Sequence, residues 1–107
     1  MDEMTLVGRG SFKESIQDLC SSGKVVGITN AGICEHVMVP MSLWISLTEH
    51  SDIDAPVVEV YPSNLRLKLK DTLESGQVIV LIGPNDRQTH TIVETSIYET
   101  LVEYAPE

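Results

Sequence analysis

Few side chains in this sequence could do chemistry. Cys34 stands two residues before His36 on what reads as one strand face, and His90 holds the matching place further along. A tetrahedral metal site needs three or four convergent ligands. Only these three offer themselves, so partly exposed strand histidines with no metal and no cofactor are expected. Cys20 and Cys34 sit in no paired spacing, which predicts free thiols rather than a disulfide framework. Gly8-Arg9-Gly10 looks like the start of a dinucleotide fingerprint, but the third glycine is missing and a strand-to-helix turn is the simpler reading. The sequence contains no nucleophile elbow, no His-Glu zinc motif and no phosphate loop, so it reads as a non-enzyme.

Charge is the other chemical feature. The 107 residues carry 7 Lys and Arg against 16 Asp and Glu, a formal net charge of −9 with pI near 4.6. Such a surface repels phosphate on average, which disfavours non-specific nucleic-acid binding. Scattered carboxylates ordinarily keep a protein soluble. The sharper alternative is an acidic surface that imitates nucleic acid and occupies a basic groove on a target protein. Arg66, Lys68 and Lys70 alternate along one predicted helix, Arg87 follows in a turn, and Arg9 and Lys13 are their first-half counterparts. These six are candidate contacts for DNA or an acidic partner. Alternation by two spreads side chains about 200° around a helix, so a solvated face competes with a patch. Trp44 and Tyr98 are candidate core or seam aromatics.

The elements that must carry these residues are written twice. With Ser22-Gly23 set on Ser75-Gly76, Phe12 falls on Leu65, Ile16 on Leu69, Val26 on Ile79 and Ile28 on Leu81, an offset of 53. After the next turn the offset becomes 54, and His36 falls on His90, Trp44 on Tyr98 and Leu47 on Leu101. Each half reads strand, helix, strand, strand, helix. In the first, Met4–Val7 is a strand and Ser11 to Glu14 a capping box. Phe12, Ile16 and Leu19 form a helical stripe, and Gly23 stops that helix. Two strands joined by Asn30-Ala31-Gly32 follow, and Pro40 opens a helix bearing Leu43, Trp44 and Leu47. In the second, Val57–Tyr61 is the strand and Leu65, Leu69 and Leu73 stripe one helix. Gly83 to Asp86 turns between strands, and Ser96 with Glu99 makes another capping box. Residues 50–56 form an acidic linker between halves 1–49 and 57–107. The expected fold class is α+β, two β-α-β-β-α repeats packed as one single-chain pseudo-dimer.

The stretch Gly23-Lys24-Val25-Val26-Gly27-Ile28-Thr29-Asn30-Ala31-Gly32, followed by Val37-Met38-Val39-Pro40 and Leu43-Trp44, resembles the amino-terminal domain of Phd/YefM-type antitoxins. The resemblance covers residues 4 to 49 and, more weakly, 57 to 103. It implies a dimer-like α/β body that binds operator DNA, with a tail that wraps a toxin. Family members carry a basic residue where this chain has Asn30, and only Ala105-Pro106-Glu107 follow the last predicted helical turn, so the tail is expected to be missing. The expected role is an antitoxin-like inhibitor of a basic protein target, with a DNA-binding repressor as the alternative. Val78–Ile82 is far too short to span a bilayer, and Met-Asp-Glu-Met is acidic where a secretory signal is basic. A cytoplasmic protein without membrane contact is therefore expected.

Overall fold

The computed structural model describes residues 5–49 and 56–104. Met4, the linker residues 50–55 and the last three residues lie outside them. The fold is mixed α+β, with a six-stranded sheet and five helices among the described residues.

The chain runs β1 (Thr5–Gly8), α1 (Arg9–Ser22), β2 (Val26–Asn30), β3 (Ile33–Pro40) and α2 (Met41–Thr48). It continues with β4 (Val57–Val60), α3 (Pro62–Leu67), α4 (Leu69–Leu73), β5 (Val78–Ile82), a 3-10 turn (Pro84–Asp86), β6 (Gln88–Glu94) and α5 (Thr95–Tyr104). Strand order across the sheet is β1-β2-β3-β6-β5-β4. The outer pairs, β1 with β2 and β4 with β5, are parallel; every other pair is antiparallel. At the centre, β3 meets β6 with Val37 opposite Val93 and Met38 opposite Ile92.

Alternating side chains send the apolar residues of this sheet to both faces. One face carries Val26, Ile28, Met38, Ile79, Leu81 and Ile92, covered by Phe12 and Ile16 of α1 and by Leu65, Leu69 and Leu73 of α3 and α4. The other carries Val37 and Val39, covered by Leu47 of α2 and Leu101 of α5. β5 is buried along its whole length, as its unbroken Val-Ile-Val-Leu-Ile run requires. Fully burying a side chain such as Phe12 or Leu65 contributes about 1.5–3 kcal/mol. Helix α2 packs on β6 as well as its own β3, and α5 packs on β3 as well as β6.

Three local expectations are corrected. The capping box at Ser11 does not form: α1 starts earlier, at Arg9, because β1 runs straight into it through Gly8, which has no side chain to cap with. The second box, at Ser96, falls inside α5, which begins at Thr95; the Thr95 hydroxyl instead donates to the Cys34 carbonyl at 2.9 Å. The single helix expected over Leu65 to Leu73 is two segments, broken at Lys68 (φ −125°, ψ 36°). Helix α1 has a similar break at Ser15 (φ −113°, ψ 16°). Neither break falls on proline or glycine, and the leucine stripe still reaches a single cluster across it.

Candidate functional site

The break at Lys68 changes the account of the basic residues. Helices α1 and α3 lie side by side, and between them runs a groove of about 650 Å³ with Lys13 and Arg66 among its walls, beside Glu14 and Asp18. A smaller adjoining groove of about 270 Å³ is lined by Arg9, Lys13, Lys68 and Lys70, and Leu67 lines both. The argument from 200° alternation therefore fails, because the positions do not sit on one continuous helix. Five of the six candidate cations form a strip, while Arg87 lies apart on the exposed turn before β6.

Arg9 is already engaged. It bonds Glu35 at 3.3 Å and Glu74 at 3.2 Å, with only 18% of its side chain exposed. Both carboxylates are far more solvated than the guanidinium, so the clamp is of modest strength. Lys13, Arg66, Lys68 and Lys70 form no ion pair among the described residues.

The histidines are buried, not partly exposed: His36 retains 8% of its surface and His90 5%. His36 Nε2 donates to the Leu73 carbonyl at 2.9 Å, and His90 bonds the Cys20 carbonyl. Each therefore ties a strand to the C-terminal end of a helix from the other part of the chain. In both rings Nδ1 is buried without a partner. Burial lowers both pKa values; for His36 the Leu73 bond and the carboxylates of Glu35 and Glu94 oppose it, and Arg9 reinforces it. Cys34 does not share a face with His36. The β2–β3 register passes from Ile28–His36 to Thr29–Cys34, so Glu35 is an extra residue in a bulge that turns the two side chains to opposite faces. Cys34 packs with the α2/α5 cluster, while His36 meets α4. Among the described residues no group of three His, Cys, Asp or Glu could hold a metal ion. Cys20 and Cys34 are free, and burial pushes the Cys20 thiol up to about 11, which makes it a poor nucleophile.

Trp44 and Tyr98 are half-buried and pack with Leu43, Ile97, Val37 and Val39 between the sheet and the α2/α5 layer. The outer side of that layer went unnoticed in the sequence. It exposes Glu49, Glu99 and Glu103 together with Ile45 and Val102, and neither helix contains a lysine or arginine. The signal was present: no Lys or Arg occurs between Lys24 and Arg66, nor after Arg87.

No family model, no curated protein and no solved structure matches the chain. No helix among the described residues is long and apolar enough to cross a membrane.

Proposed function

We propose that the chain is a tandem pair of Phd/YefM-like halves closed on each other as a single-chain pseudo-dimer. Support comes from backbone irregularities that recur at the offsets of the sequence repeat. Positive φ at Gly23 returns at Gly76, and that at Ala31 and Gly32 returns at Asn85 and Asp86. The breaks at Ser15 and Lys68, and the bulges after Ile28 and Leu81, keep the same spacing. Thr5 pairs with Val26, and Val57 with Val78, at equal sequence separation. In the central ladder, Met38 pairs with Ile92, its own repeat equivalent, as a two-fold axis through that pair demands.

On this body we read a non-enzymatic, antitoxin-like regulator that binds and inhibits a basic partner protein, one that handles nucleic acid or acts as a toxin or defence factor. The observation that carries the reading is the separation of charge between the two helical layers. Helices α1, α3 and α4 mix cations with Glu14, Asp18 and Asp71, whereas the α2/α5 layer offers carboxylates alone. An unopposed acidic face steers a cationic partner and speeds its association. The immobilised chain should retain a basic protein that elutes as salt is raised, and should hold no duplex DNA even at low salt. Retention of a specific duplex would overturn the inhibitor reading.

One observation favours the alternative, a sequence-specific DNA-binding repressor: Lys13, Arg66, Lys68 and Lys70 line two adjoining grooves and make no ion pair among the described residues. If that strip binds phosphate, Lys68→Ala and Lys70→Ala should each lower the slope of log affinity against log salt by about 1.

A further inference from the structure

Ile45 is 59% exposed on α2 and Val102 47% exposed on α5. Neither serves the interior, because Leu43, Trp44 and Leu47 already fill the sheet side of α2, and Ile97, Tyr98 and Leu101 that of α5. The two helices touch, so both aliphatics belong to one layer, with Glu49, Glu99 and Glu103 on its solvent side. Aliphatics are exposed elsewhere too, at Leu6, Ile33, Val57 and Leu67, but only this pair stands on helices whose charged side chains are all carboxylates, and burying one against a partner recovers up to about 1.5–3 kcal/mol.

We infer that the outer face of α2 and α5 is a docking surface for a cationic amphipathic helix. The inference rests on the acidic-partner reading above and narrows it to one face and one kind of partner. An apolar stripe on the incoming helix covers Ile45 and Val102, and flanking Lys or Arg residues meet Glu49, Glu99 and Glu103. This is recognition of a helix by its apolar face, with anchors spaced three or four residues apart. No cation on α2 or α5 opposes the approach.

The single tryptophan, Trp44, lies on the sheet side of α2, so binding at the outer face is read directly, by titration calorimetry. The probe is a synthetic peptide of leucine and lysine patterned as an amphipathic helix of about five turns, without aromatics. Titrated into the whole protein, it should give a saturable heat of binding at one peptide per chain. The paired change Glu99→Lys with Glu103→Lys should weaken its binding about tenfold or more. Ile45→Ser, at an exposed position, should weaken it too, with the far-ultraviolet circular dichroism unchanged. A scrambled peptide of equal composition should bind poorly. If the scrambled peptide binds equally well, or Ile45→Ser leaves binding unchanged, the face is wrong although an acidic partner-binding surface survives. If neither peptide binds, the acidic-partner reading falls as well.

Discussion

A proton arriving at His36 has nowhere comfortable to go. Nε2 already carries the hydrogen it donates to Leu73, so the new proton must sit on Nδ1, which is buried and faces no acceptor. The groups nearest the ring are mixed: Arg9 opposes the added charge, and Glu35 and Glu94 favour it. His90 is in the same position with fewer charges around it. Burial holds both pKa values below the ordinary 6.5, so near that pH the unfolded chain binds more protons than the folded one. Stability is therefore complete above about pH 6.5 and falls as the pH drops from there toward the lowered values. Urea unfolding at pH 7.5 and pH 5.5 should give a lower midpoint at the acidic value, and His36→Gln with His90→Gln should flatten that difference. An unchanged pH dependence in the double variant would assign the effect to carboxylates instead.

At the level of the element, the bulges and turns make the sharpest demands. Gly83 follows the bulged end of β5, and a Cβ there would stand 2.7 Å from the Thr89 Cγ2. Threonine is stiff at χ1 and cannot easily swing the methyl aside. Gly83→Ala should cost about 1–3 kcal/mol in chemical denaturation. Thr89→Ser, which removes the methyl and keeps the hydroxyl that donates to the Leu81 carbonyl, should restore most of it. The element pattern itself was largely legible. The stripes Phe12–Ile16 and Leu65–Leu69–Leu73, the Gly23 stop and the Asn30-Ala31-Gly32 turn are local signals, and local physics decides them. The bulge at Glu35 and the breaks at Ser15 and Lys68 were not legible, because no proline or glycine stands at them to mark the backbone change, and nor were the failed caps. Thr95, the first residue of α5, donates its hydroxyl to the Cys34 carbonyl of β3. The burial of the histidines was not legible either, since their partners, Leu73 and Cys20, come from the far part of the chain. The basic strip was readable as residues but not as a surface until α3 and α4 parted at Lys68.

Across the whole molecule, both apolar clusters draw on both ends of the sequence: Phe12 with Leu65 on one face of the sheet, Leu47 with Leu101 on the other. Such an interior predicts one cooperative unfolding transition. Trp44 fluorescence and far-ultraviolet circular dichroism should give coincident denaturation curves. Leu65→Ala, at a fully buried position, should shift both by about 2–5 kcal/mol although Leu65 and Trp44 lie on opposite layers. Two separated transitions would contradict a shared interior. The same crossing packing bears on covalent continuity. A protease that nicks the backbone between Glu49 and Pro56 would sever one polypeptide into two without unpairing β3 from β6. The fragments would then cling as a bimolecular complex whose melting temperature climbs with dilution reversed, that is, with concentration, as the uncut molecule's does not.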